Sequence, residues 1–148
     1  IGEGRYILIE FMPNVPYSLL YRAVRELTEV QYRPILAHIE RYGVLREKGR
    51  VEELIKAGAS MQMNYRRIGG RWYDETVRWC RRMLKNGSIH FLATDMHNTK
   101  SRRPQTQEAE IWMEKHLEKA YMEEICWKNA QKILSYAGQN AEKESLHY

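Results

Sequence analysis

Three short apolar runs constrain this chain more than any other feature: Arg5-Tyr6-Ile7-Leu8-Ile9-Glu10-Phe11, Arg33-Pro34-Ile35-Leu36-Ala37-His38, and Phe91-Leu92-Ala93-Thr94-Asp95-Met96-His97-Asn98. Runs this hydrophobic read as parallel strands covered on both faces rather than half-exposed ones. Each stops abruptly at a nitrogen or oxygen donor: Glu10, His38, and Asp95 with His97. Strand side chains alternate, so Asp95 and His97 share a face if the extended backbone persists that far. The C-terminal ends of parallel strands are where barrel enzymes present groups to a metal or substrate. Taken singly, each donor reads as a polar residue entering a loop. Their repeated placement predicts one shared polar site.

Between these runs the pattern alternates strand with helix. Pro13 and Pro16 break the chain after the first run, and Tyr17 to Glu29 then carries Leu19, Leu20, Ala23, Val24 and Leu27 on one stripe. Tyr32–His38 is expected to be the second strand. Glu52–Lys56 belongs to a short helix with Gly58 as its C-terminal cap. Ser60–Asn64 alternates weakly and reads as a third strand, and Tyr73–Lys85 reads as a strong helix ending before Gly87. Ser88–Asp95 is the expected fourth strand, His90 within it reads as a core histidine, and the sequence from Gln107 onward is helical. Alternation of this kind implies βα units with a parallel sheet, an α/β architecture consistent with part of a barrel. The polar segment 138–148 is expected to be a frayed tail beyond a single domain over 1–137.

Composition narrows the chemistry. The 148 residues carry a net charge of +5, which favours an anionic partner. Arg66-Arg67, Arg78, Arg81-Arg82, Lys100 and Arg102-Arg103 hold much of that charge, and Arg78 to Arg82 read as a solvated helix face. Cys80 and Cys126 are isolated, so neither a zinc knuckle nor a disulfide framework is indicated. A cysteine-nucleophile phosphatase needs Cys followed by five residues and Arg. The residue six after Cys80 is Asn86 and six after Cys126 is Lys132, which excludes that mechanism. No apolar stretch approaches a membrane span, and a reducing cytoplasm fits best.

Tyr6–Phe11, Ile35–Tyr42 and Ile89–Asn98, followed by Arg102 and Pro104, resemble the manganese-dependent protein-tyrosine phosphatases of bacterial capsule and exopolysaccharide systems. These belong to the polymerase-and-histidinol-phosphatase (PHP) superfamily, whose fold is a distorted (β/α) barrel. The family writes these stretches approximately as Ile-Glu-Phe, Ala-His-Pro-Glu-Arg-Tyr and Ser/Thr-Asp-x-His-Asn. The resemblance runs from about Tyr6 to about Leu134. It implies metal ligation by Glu10, His38, Asp95 and His97, with Mn2+ as the expected ion and Fe2+, Co2+ or Zn2+ as alternatives. It also implies that Arg41 and Arg102 bind the phosphoryl group, Arg103 replacing Arg102 if the loop register differs. Glu40, Tyr42 and Asn98 read as structural, and Trp72, Tyr73 and Trp79 are candidates to flank a phosphotyrosyl ring, with Trp79 reading rather as core.

Two departures stand out. Ile39 replaces the proline of the family motif, and Met12 intervenes before Pro13. The family also opens with a His-x-His strand, whereas the five histidines here, His38, His90, His97, His116 and His147, include no such pair. The expectation is therefore the C-terminal part of a PHP-type phosphatase lacking the first strands, with activity of its own that is much weaker or absent. The expected substrate is a phosphotyrosine protein, the tail of a bacterial tyrosine kinase, with neither nucleic-acid binding nor membrane insertion. The alternatives are a histidinol-phosphatase-like enzyme and an inactive chain that only binds.

Overall fold

The computed structural model describes residues 5–94 and 103–135, with side chains of the second segment described from 106. Four parallel strands form its sheet: β1 (Arg5–Ile9), β2 (Tyr32–Leu36), β3 (Ser60–Asn64) and β4 (Phe91–Ala93), in the spatial order β1-β2-β3-β4. Strand order follows chain order without reversal. That is the winding of a barrel wall, whereas doubly wound sheets switch direction partway across. The result is a parallel half-barrel of the expected α/β class.

Helices return the chain between strands. α1 (Tyr17–Glu29) follows β1, α2 (Arg50–Lys56) precedes β3, and α3 (Glu75–Lys85) links β3 to β4. The α1 stripe buries Leu20 and Val24 completely, while Leu19 at its margin stays partly exposed. Gly58 closes α2 with φ of +109°, and a Cβ there would lie 2.9 Å from Thr28 Oγ1. Both facts select glycine. α3 starts two residues later than its apolar pattern suggested, because the Asp74 carboxylate caps it by accepting from the Thr76 and Val77 amides. α4 (Arg103–His116) and α5 (Lys119–Glu123) run into a π-helical stretch, Glu124–Lys128.

The core lies between the sheet and these helices: Leu36, Met61 and Met63 from the strands meet Leu54, Trp79, Leu84, Met113 and Ile125. Cys80 is buried there, and burial pushes its thiol up to about 12, so it is not a thiolate nucleophile.

Three expectations need correction, one of them β4, whose regular strand begins at Phe91 rather than Ser88 because the segment before it serves the turn out of α3. Among the described residues β1 is not covered on both faces: it lies at the sheet edge and Leu8 is 66% exposed. β2 stops at Leu36, short of His38, because His38 adopts a left-handed conformation (φ 52°, ψ 47°) that ends the extended backbone. The expected tail over 138–148 lies outside the described residues.

Candidate active site

The ends of β1 and β2 are stitched together residue by residue. The ladder continues past Leu36, where the Ala37 amide donates to the Ile9 carbonyl at 2.9 Å. One residue on, Arg41 Nη1 lies 2.8 Å from Glu10 Oε1. Next to it the Phe11 amide donates to the Tyr42 hydroxyl at 2.9 Å. Tyr42 is fully buried, and burial raises its pKa, so the phenol is the neutral form throughout the physiological range.

The turn after β2 explains its own sequence. A 3-10 turn, Ile39–Arg41, is closed by the Arg41 amide donating to the His38 carbonyl at 2.9 Å. Ile39, fully buried, anchors it to the core. Non-glycine residues rarely adopt the conformation of His38 without support. Here the support is Gln62 of β3, whose Oε1 accepts from the His38 amide at 2.9 Å. Ile39 in place of proline spares His38 the restriction that a following proline imposes.

Glu40 is buried, with Oε2 accepting from the Asn64 amide at 3.4 Å and its carbonyl accepting from Arg46 Nη2 at 2.7 Å. Its Oε1 faces His38 Nδ1 at 3.7 Å, and that nitrogen is buried with no hydrogen-bond partner. A carboxylate beside one imidazole nitrogen is how proteins orient a metal-ligating histidine, leaving the other nitrogen for the ion. Glu10 supplies a hard oxygen donor at the adjacent strand end, half-exposed and neutralised by Arg41 alone among the described residues. The donor chemistry therefore fits a divalent cation of the manganese, iron or zinc type.

Of the residues expected to converge, the structure brings Glu10, His38 and Arg41 to one end of the sheet. Asp95, His97, Asn98 and Arg102 lie outside the described residues, and so does the side chain of Arg103. Thr94, the last described residue before them, leaves β4 at that same end. Among the described residues, no three His, Cys, Asp or Glu side chains gather closely enough to hold a metal ion.

Sequence reasoning missed Gln62 and Asn64. Their signal was present: two amides two residues apart in a strand otherwise made of Ser and Met, hence on one face and needing buried partners. Asn64 also accepts from the Arg66 amide at 2.9 Å, turning the chain away from the site. Trp72 and Tyr73 are exposed and stacked edge-on, whereas Trp79 belongs to the core. His90 is the satisfied core histidine its position suggested, with Nδ1 accepting from the Met61 amide at 3.1 Å.

Comparison with known proteins bears on this geometry. A family model described as capsular polysaccharide synthesis, CpsB/CapC, matches residues 1–135. The chain belongs to the CpsB/CapC family. It is 33% identical to the tyrosine-protein phosphatase CpsB of Streptococcus pneumoniae, over 74% of this chain and 47% of that protein. CpsB of Streptococcus agalactiae serotype V is 32% identical over 90% of this chain and 58% of its own length. The tyrosine-protein phosphatase YwqE of Bacillus subtilis is 33% identical over 78% of this chain and 46% of its own. A solved structure from a study of YwqE and CpsB, there called metal-dependent tyrosine phosphatases, superposes with a TM-score of 0.74 at 28% identity. That superposition covers 88% of this chain and 53% of the solved one. The chain thus spans about half the length of the curated relatives it matches.

Proposed function

We propose that this CpsB/CapC-family chain forms part of a metal-dependent protein-tyrosine phosphatase. The observation that carries the reading is the Arg41–Glu10 pair at the strand ends, beside a histidine whose backbone amide is held by Gln62 and whose imidazole faces the buried Glu40 carboxylate. Glu10, His38, Asp95 and His97 would hold divalent metal, with Mn2+ the ion that their mixed nitrogen and oxygen donors suit. Such ions, when bound, lower the pKa of water and draw charge from phosphoryl oxygens.

The chain's own residues do the rest. Arg41 leaves the strand end on a rigid turn and is 44% exposed, within reach of an incoming anion. Its planar fork matches two phosphoryl oxygens and keeps its charge at neutral pH. Arg102 is assigned the same role. Gln62, Glu40 and Tyr42 hold the turn so that His38 and Arg41 need no reorganisation when substrate arrives.

The substrate is a phosphotyrosine protein, specifically the tyrosine-rich tail of a bacterial kinase that controls capsule or exopolysaccharide assembly, met in the cytoplasm. No helix among the described residues is long and apolar enough to cross a membrane. Residues 1–137 act as one domain in this reading.

The test is phosphate release from a tyrosine-phosphorylated peptide, with histidinol phosphate as rival substrate. The chain is assayed alone and joined to whatever its gene encodes upstream. Manganese-dependent release favouring the peptide is expected, weaker for the chain alone. Arg41→Ala should lower turnover by about 10²–10³ with metal content unchanged, and Arg41→Lys should recover only part of it. Preference for histidinol phosphate, or near-normal turnover in Arg41→Ala, would contradict the assignment.

A further inference from the structure

A second cationic feature lies apart from the Glu10–Arg41 pair, where α3 packs beside the 3-10 turn Gly43–Arg46. A cavity of about 280 Å³ opens there, lined by Arg46, Glu75, Arg78, Trp79 and Arg82. Spacings of three and four residues put the α3 members on one face. Trp79 is buried beneath them, with the Arg46 guanidinium 3.9 Å from its ring centroid. Three arginines against one glutamate leave the lining with a formal charge of +2.

The charges at this cavity are only partly compensated. Arg46 Nη2 donates only to a neutral acceptor, the Glu40 carbonyl, and Nη1 is buried without a partner. Burial lowers the Arg46 pKa, which marks a desolvated cation. On α1, by contrast, Arg22 and Arg25 each face a glutamate four residues on. On α3, Arg78 and Arg82 face each other at that spacing, which costs helix stability. Asp74, four residues before Arg78, is committed to capping the helix. Arg81, which the sequence suggested was solvated, turns inward instead and donates to the Ile68 and Gly70 carbonyls at 3.0 and 3.1 Å. The Arg78 and Arg82 side chains make no ion pair or hydrogen bond with the described residues.

We propose that this cavity binds a phosphoryl group, separately from the strand-end site. A dianion between Arg78 and Arg82 relieves their repulsion, and a tetrahedral group offers enough oxygens for two guanidinium forks above the buried Arg46 charge. The volume admits a phosphoryl group with a small carrier. Free phosphate and a phosphorylated tyrosine present the same chemistry to it.

Calorimetric titration of the chain, without metal and at low ionic strength, separates these sources. Inorganic phosphate and phosphotyrosine are the two probes. Arg78→Gln/Arg82→Gln should weaken both by about tenfold or more, since two charge-assisted contacts are lost. Glutamine keeps the helix propensity close to that of arginine. The control pair Arg22→Gln/Arg25→Gln removes equal charge from α1 and should leave binding unchanged. Tighter binding of phosphotyrosine identifies a phosphorylated protein as the occupant; equal binding identifies phosphate itself. Absence of binding, equal loss in the control pair, or loss in Arg41→Gln but not in the α3 pair would overturn the proposal. Failure of the phosphatase assay would leave all these outcomes readable.

Discussion

β1 and β2 lie side by side in register, and each apolar run leads into a carboxylate, Glu10 after one and Glu40 after the other. Their surroundings are opposite. β2 has a neighbour on both sides, Leu36 is fully buried, and Glu40 is 6% exposed with a backbone amide donating to it. Among the described residues β1 has one neighbour, Leu8 is 66% exposed, and the Glu10 side chain, 50% exposed, meets the arginine of the next strand's turn. Position in the sheet, not local sequence, decides which carboxylate serves the fold and which stands available to a ligand. A buried carboxylate must be satisfied where it sits. A half-exposed one can exchange its partner at little cost.

The largest effect that follows is in the strands. Leu36→Ala should cost about 2–5 kcal/mol in urea unfolding, as buried leucine deletions do. Leu8→Ala should fall within about 0.5 kcal/mol of the parent, as exposed positions do. Comparable losses would mean that the β1 face is covered in solution. The carboxylates should separate less widely. Glu40→Ala leaves the buried Asn64 amide without its acceptor and should cost about 1–3 kcal/mol. Glu10→Ala removes a solvent-screened pair and should cost under about 1 kcal/mol. The reverse order, read from chemical denaturation, would break the comparison.

How much of this was legible beforehand depended on whether the deciding contact was local. α1 over Tyr17–Glu29 and β3 over Ser60–Asn64 match their periodicity, because each is bounded by nearby signals such as Pro16 and the Asn64 cap. β2 and β4 are shorter than their apolar runs suggest. β2 is ended by the left-handed His38, which depends on Gln62, 24 residues away. Regular β4 begins at Phe91, although the His90 amide already reaches the Met61 carbonyl at 2.9 Å. Glu10, His38 and Arg41 were legible as a group because each follows an apolar run. Burial of Glu40 and exposure of Glu10 were not, since each is decided by neighbours distant in sequence: the Asn64 amide donates to Glu40, and β1 lacks a partner beyond β2 among the described residues. The cavity over Trp79 was hidden for the same reason: Arg46 and Arg82 are 36 residues apart and meet only through packing.

The two histidines at strand ends sharpen the contrast further, with the smallest effect. Burial lowers the pKa of His90 from its ordinary value of 6.5. Its Nδ1 accepts from the Met61 amide, a bond that protonation destroys. The unfolded chain then binds the extra proton first, so stability is full above about pH 6.5 and is lost as pH falls below it. Between pH 7.5 and 5.5 the parent should lose up to about 1 kcal/mol more than His90→Gln, whose carbonyl oxygen can accept the same bond without titrating. Identical pH profiles from thermal melts would show that His90 does not report on this burial.

The account rests on Glu10 being the carboxylate available to a metal. Calorimetric titration with Mn2+ tests this directly, comparing the parent with Glu10→Gln and Arg41→Gln. Glu10→Gln keeps size and shape but removes the anionic donor, and should weaken Mn2+ binding by at least about tenfold. Arg41→Gln removes the cation that competes for the same carboxylate, and should leave binding equal or tighter. Unchanged Mn2+ affinity in Glu10→Gln, in a chain that binds the ion, would contradict the account.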